Sequence, residues 1–288
     1  MYPAPFEYHR AGSVAEAVAL LERFPDDGKL IAGGHSLLPV MKLRFATPAH
    51  LIDIRRIPEL HGIRDEGDTA LIGAASTHDA VASSELLRQR AHALAEAAAR
   101  IGDPLIRNMG TIGGSLAHAD PAADLPAVAL ALGFELRVAG PRGERTIRVG
   151  DFFTDLFTTS LDPAEVLTAV RVPLHASGTA SAYAKYPDPA SGYAVVGVAA
   201  MVTLSGGTIR QARVALTGLG QKAARAEGVE QALEGQSATP ATIDTACARI
   251  TDALELYDDA TGSAAYKANL AAAYARRAVR SAVERSRA

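Results

Sequence analysis

The sequence predicts an α+β chain of three lobes, and three patterns carry that expectation. Residues 6–54 alternate strand and helix signals, which favours parallel strands joined by crossovers. Residues 62–149 pair strand-like runs around turn residues, which favours antiparallel sheet. Residues 195–217 repeat the hairpin pattern ahead of two helical stretches, which predicts a second antiparallel sheet at the C-terminal end. The expected lobes are 1–55, 56–177 and 178–288, with His175-Ala176-Ser177-Gly178-Thr179 as a boundary.

Element by element, Phe6–His9 reads as a short strand. Ser13 then caps a helix, with Glu16 three residues on completing a capping box, and Val14, Ala17, Val18 and Leu21 form its buried stripe. Lys29–Ala32 and His50–Ile54 read as strands around a helix near Leu37–Arg44. Gly62–Arg64 and Ala70–Ala74 flank the turn Glu66-Gly67-Asp68. Ala91–Arg100 is alanine-rich and helical, whereas Gly102–Asp124 shows little periodicity. A helix near Leu125–Leu132 precedes strands Glu135–Ala139 and Arg145–Val149. Val195–Leu204 and Arg210–Thr217 pair around Ser205-Gly206-Gly207. Pro240 starts one helix at its first position, and Ala264–Glu284 forms the last, with Arg276, Arg277, Arg280 and Arg285 on a face that reads most simply as solvated, with partner docking as the alternative.

Composition narrows the function. A net charge of −3 over 288 residues argues against a nucleic-acid binder, which would carry a basic surplus. Charged residues break every apolar run that could cross a bilayer. Tyr2-Pro3-Ala4-Pro5-Phe6 has no basic-then-apolar leader pattern, so a cytoplasmic chain is expected. The single cysteine, Cys247, rules out an internal disulfide and a self-contained iron–sulfur cluster, which typically needs several thiolates. It lies in a helical stretch and reads as a buried structural thiol.

Two glycine segments stand out, Ala32-Gly33-Gly34-His35-Ser36 at a strand end and Asn108-Met109-Gly110-Thr111-Ile112-Gly113-Gly114-Ser115. Adjacent glycines accept positive φ and leave backbone N–H groups uncovered. Such groups form anion-binding concavities, and Ser36, Thr111 and Ser115 add hydroxyls. Two such loops suit the two sides of a dinucleotide. A third segment, Gly218-Leu219-Gly220-Gln221-Lys222-Ala223, matches a dinucleotide fingerprint but follows an antiparallel pair and lacks a βαβ setting, so it reads as a plain loop.

The two motifs, in this order and separation, resemble the FAD-carrying medium subunits of carbon monoxide dehydrogenase and other xanthine-oxidase-type molybdenum hydroxylases. The likeness runs from Phe6-Glu7-Tyr8 through both motifs, Ile106-Arg107-Asn108, Asp120-Pro121, Asp124-Leu125-Pro126, Lys185 and Gly192-Tyr193-Ala194 to Tyr266-Lys267. It implies a two-lobed FAD-binding fold, like that of vanillyl-alcohol oxidase and PCMH, with a C-terminal antiparallel-sheet lobe. It further implies that Ala32, Gly33, Gly34, His35 and Ser36 bind the FAD diphosphate region and that Thr111, Ile112, Gly113, Gly114 and Ser115 close on it. Asp124 would accept a hydrogen bond from a cofactor hydroxyl, Tyr193 would lie by the flavin ring, and Lys185 would bring positive charge. Read without the resemblance, Asp124 is a helix N-cap, Tyr193 plain core and Lys185 a surface cation.

The resemblance departs in two places. Some relatives have Asn where Ser115 stands, and Lys185–Ser191 has two prolines and no further basic residue, which reads as a loop of altered shape.

The resemblance implies an oxidoreductase subunit that relays electrons through FAD to an external acceptor, with no general acid or base of its own. Its partners would be a large molybdenum-cofactor subunit and a small subunit with two [2Fe–2S] clusters, assembled as a dimer of heterotrimers. It would work in the cytoplasm or peripherally at the inner membrane. The alternatives are a stand-alone flavin oxidase or dehydrogenase and a non-catalytic nucleotide-binding module.

Overall fold

The structure, a computed structural model, describes residues 2–252 and 254–287. Three parallel strands, in the spatial order Glu7–Arg10, His50–Asp53, Gly28–Ile31, form the first sheet. Parallel pairing requires crossovers, and the helices Val14–Arg23 and Leu37–Lys42 provide them. Ser13 Oγ accepts from the Glu16 amide at 3.1 Å, as expected of a cap. Glu16 reaches back one residue farther than a capping box requires, to the Gly12 amide at 2.7 Å. Ala17, Val18 and Leu21 pack with Ile52, Ile54 and Leu60 in a small core of their own.

The second sheet has five antiparallel strands in the order Ile63–Asp65, Thr69–Gly73, Val166–Pro173, Glu135–Gly140, Gly143–Arg148. Its central strand, Val166–Pro173, goes unpredicted by the sequence patterns. So do the short helices His78–Ser83 and Glu85–Arg90 ahead of His92–Ala99. The segment 102–124 is also not irregular: it holds the helices Pro104–Met109 and Ile112–His118, capped by Asp103 and Thr111. The helix Asp124–Leu132 is buried along its whole length.

That burial follows from the third sheet, antiparallel in the order Thr179–Pro187, Ala194–Ser205, Thr208–Thr217, Ala224–Arg225. Side chains alternate across a strand. Here Tyr183, Ala199, Met201 and Ala215 join the core of the second sheet. Their neighbours Ala182, Ala184, Val198, Ala200 and Val202 join a separate core built with Ala271, Ala275, Val279 and Val283 of the final helix, Ala264–Ser286. A strand buried on both faces reads as an unbroken apolar run, which is what Val195–Val202 shows.

Two expectations need correcting here. Lys185–Pro187 is not loop but the end of the strand Thr179–Pro187, and the turn begins only at Asp188. The arginines of the last helix are not simply solvated. Arg280 pairs with Asp244 at 2.6 Å, Arg277 lies over the Tyr274 ring, and Arg285 pairs with Glu96 of the helix His92–Ala99. Arg285 also donates to the Ser181 carbonyl at 2.9 Å, so it ties the final helix to the second core.

Candidate cofactor site

The first motif leaves the C-terminal end of the strand Gly28–Ile31 and enters the helix Leu37–Lys42. In α/β sheets that end of the strands is where ligands bind. The amides of Gly33, Gly34, His35 and Ser36 have no hydrogen-bond partner among the described residues. Ser36 stands at the N-cap position, yet its hydroxyl caps nothing. His35 is exposed, and Ala32, Gly33, Gly34 and Ser36 are half-buried. This is a run of free donors at a surface, the arrangement an anion requires.

The second motif is built differently. Thr111 Oγ1 accepts from the Gly114 amide at 3.1 Å. The Ile112 and Gly113 amides donate to the carbonyls of Ser76 and Ala74, at 3.0 and 2.8 Å, and the Ser115 amide to Thr111 at 3.0 Å. A run of uncovered amides, expected of both motifs, therefore occurs only in the first. What the second leaves open, among the described residues, is the Thr111 amide, the Thr111 hydroxyl hydrogen and the Ser115 hydroxyl. Of the paired glycines, only Gly34 takes a positive φ, at 75°. Gly113 is glycine because its Cα lies against Ala74, whose Cβ would be 2.5 Å from an added methyl.

The two motifs meet. An added Cβ on Gly33 would drive into the Met109 carbonyl and come within 2.7 Å of the Gly110 Cα. Beneath that contact lies His78, a residue that belongs to neither motif. Its amide donates to the Gly110 carbonyl at 2.9 Å, and its ring is 5% exposed. Burial, with His35 and Arg107 nearby, lowers its pKa to about 4.

Asp124, Lys185 and a second residue outside both motifs, Tyr183, form a buried cluster behind the cleft. The Tyr183 hydroxyl donates to Asp124 Oδ1 at 2.5 Å and Lys185 Nζ to Asp124 Oδ2 at 2.8 Å, with Lys185 also donating to the Arg100 carbonyl at 3.2 Å. Burial pushes the Asp124 carboxyl up, against the opposing pull of Lys185 and Tyr183. Burial and the neighbouring Asp124 raise the Tyr183 phenol well above its usual range. Asp124 is not an N-cap, because Ala123 holds that position, and Lys185 is no surface cation, its side chain being 2% exposed. Had the strand Thr179–Pro187 been recognised, the two-residue period of Tyr183 and Lys185 would have placed them on one face.

Tyr193 stands 41% exposed at the end of a turn held by Asp188. The Asp188 carboxylate accepts from the Ala190 and Ser191 amides at 3.1 and 2.7 Å, which holds its pKa low. Burial and Asp120 raise the Tyr193 phenol, and the Ser36 hydroxyl opposes them. The same end of the third sheet grips residues 121–122: Gly218 donates to the Pro121 carbonyl at 2.7 Å, Thr217 Oγ1 to the same oxygen at 2.6 Å, and Ala194 to Ala122 at 3.2 Å. The fingerprint-like segment Gly218–Ala223 is thus structural, and Lys222 Nζ donates to the Phe153 carbonyl at 2.9 Å.

Residues 4–175 match the family described as the FAD-binding domain in molybdopterin dehydrogenase, and residues 181–282 the CO dehydrogenase flavoprotein C-terminal domain. The chain belongs to this flavoprotein family. The carbon monoxide dehydrogenase medium chain of Hydrogenophaga pseudoflava is 44% identical, over 98% of both chains. The 6-hydroxypseudooxynicotine dehydrogenase complex subunit alpha of Paenarthrobacter nicotinovorans is 37% identical over 100% of this chain and 97% of its own. Among solved structures, the H. pseudoflava carbon monoxide dehydrogenase lacking the Mo-pyranopterin moiety of its cofactor superposes with a TM-score of 0.96, at 45% identity over 99% of each chain. This flavoprotein is accordingly an oxidoreductase component with FAD as its cofactor, in the α+β fold with a C-terminal antiparallel sheet. The residues present suit that cofactor: four unpaired amides offer a diphosphate its donors, and both Asp124 oxygens keep a lone pair for a hydroxyl.

Proposed function

We propose that this flavoprotein is the electron relay of a heteromeric molybdenum hydroxylase. A large partner subunit holds the molybdenum cofactor and the substrate. A small partner carries two [2Fe–2S] clusters that feed this chain, which passes electrons to an external acceptor. The assembly is a dimer of heterotrimers working in the cytoplasm. The observation that carries this reading is the contact between a donor-lined loop, Gly33–Ser36, and a second motif from a separate lobe, at Met109–Gly110.

FAD, when bound, exchanges electrons singly or in pairs. The chain's own part is to hold and tune it. The amides of residues 33–36 and the hydroxyls of Thr111 and Ser115 grip the diphosphate from two sides. Ala32, Ile112, Gly113 and Gly114 shape the walls. Asp124, fixed by Tyr183 and Lys185, would accept a hydroxyl hydrogen, and Lys185 favours its ionised form against the effect of burial. Tyr193 borders the flavin ring. With lobes at 1–55, 56–177 and 178–288, the cofactor would lie between the first two and its ring would reach the third.

Cys247 supports the division of labour. It is fully buried and its pKa is raised to about 12, so this chain offers no thiolate for a cluster. Among the described residues no helix is long and apolar enough to cross a membrane. The test is co-purification from the host with metal analysis. Two companion chains carrying molybdenum and iron are expected; a yellow chain that purifies alone and turns over a small organic substrate would overturn the relay.

A further inference from the structure

The contact between the motifs contains a side chain that neither motif includes. His78 begins the helix His78–Ser83, capped by Thr77, whose Oγ1 accepts from the Ala80 amide at 3.2 Å. Thr77 bridges to Thr111, and the His78 amide donates to the Gly110 carbonyl. The ring lies flush on Gly110: an added Cβ there would be 2.8 Å from Cδ2 and 3.0 Å from Nε2. Gly33 presses on the same Met109–Gly110 peptide. The imidazole is therefore wedged where the two motifs close.

Its two nitrogens differ. Nδ1 is sealed from solvent and has no partner among the described residues. Nε2 has no hydrogen-bond partner among the described residues either, but it is not among the sealed atoms. A buried orphan N–H is rarer in proteins than an under-satisfied acceptor. Nδ1 therefore carries the lone pair and Nε2 the hydrogen. The result is a neutral ring with one donor left for something in the cleft. The Arg107 guanidinium sits near, committed to the carbonyls of Ile101 and Gly102 at 3.0 and 3.2 Å, and adds positive potential there.

We propose that His78 donates a hydrogen bond through Nε2 to the diphosphate of the bound dinucleotide, from the floor of the cleft between the two motifs. The inference rests on the FAD reading and adds a residue to it. A donor to an anionic oxygen contributes more than one to a neutral acceptor, and burial keeps this donor oriented.

The test compares three variants of the full-length chain, stripped of flavin, by titration with FAD and with ADP and adenosine as fragments. His78→Gln places an amide N–H where Nε2 stands, His78→Asn places one near Nδ1, and His78→Phe keeps the ring without a donor. His78→Phe and His78→Asn are expected to weaken FAD about tenfold or more, with the same loss for ADP and none for adenosine, while His78→Gln stays within about threefold of wild type. In the unsubstituted chain, ¹⁵N spectra of the imidazole are expected to show Nε2 protonated and shifting on ADP addition, with Nδ1 lone-pair-like throughout. FAD and ADP binding in His78→Phe equal to wild type, or an Nδ1-protonated ring, would overturn the inference. Failure of the unsubstituted chain to bind either nucleotide would instead overturn the FAD assignment beneath it.

Discussion

Lys185 Nζ and Asp124 Oδ2 meet at 2.8 Å with side chains only 2% and 5% exposed, and the two residues come from different sheets' neighbourhoods. Removing one member of such a pair strands the other's charge. Lys185→Met is expected to cost about 3–5 kcal/mol at neutral pH, measured by urea denaturation. The double variant Lys185→Met with Asp124→Asn is expected to cost less than the single one. Burial already holds the Asp124 carboxyl above its ordinary value, and losing Lys185 removes the largest opposing pull, so its folded pKa rises further above the unfolded one. The stability that protonation supplies is then present at low pH and lost as pH rises through that folded pKa, so the single variant's deficit is expected to shrink as pH falls.

Gly33 tests the closure of the two motifs. Gly33→Ala places a methyl against the Met109 carbonyl, where only backbone can yield. Overpacking of this kind costs about 1–3 kcal/mol. The loops must part, so the purified chain is expected to carry substoichiometric flavin, read from the ratio of flavin to protein absorbance. Full flavin content at wild-type stability would show that the contact is not needed.

His78 gives the fold a dependence on pH of definite sign. Burial lowers its pKa to about 4 in the folded chain, against 6.5 for a free imidazole. The unfolded chain takes up the proton first, so stability is full above about pH 6.5 and falls as pH drops towards 4. The loss from this residue amounts to about 3 kcal/mol. Thermal melts of wild type and His78→Gln between pH 7 and 4.5 are expected to diverge from a constant offset, with the wild type losing more.

Cys247 is expected to be inert. Its thiol is buried and its pKa raised to about 12 by burial. Because the thiolate is the nucleophile, iodoacetamide at pH 8 is expected to leave the native chain unlabelled and to label it stoichiometrically in guanidinium. Rapid labelling of the native protein would contradict the packing described around it.

How much of this was readable beforehand depended on whether a signal was local. The first sheet was legible because Leu30-Ile31 and Leu51-Ile52 are short apolar runs set beside a Ser13 cap and a Gly-Gly strand end. The central strand of the second sheet was not, because a bulge between Leu167 and Ala169 shifts its alternation, and Arg171 interrupts the run. The helices Pro104–Met109 and Ile112–His118 are under two turns long, too short for a 3.6-residue period to show. Thr179–Pro187 hid behind its alanines and closing proline, and with it went Tyr183 and the burial of Lys185. His78 carries no local mark at all. Its meaning comes from Gly110, 32 positions away in the chain.

The segment 176–180, between the two matched regions, looks like a natural place to graft one relative's N-terminal part onto another's C-terminal part. The chain does not separate cleanly there. Asp124 lies on one side of that seam, and Tyr183 and Lys185 on the other. A chimera that kept the aspartate and imported a partner without the lysine would inherit a stranded buried charge in the wall of its cofactor cleft. A graft at this seam is expected to keep its stability only when residues 124, 183 and 185 travel together.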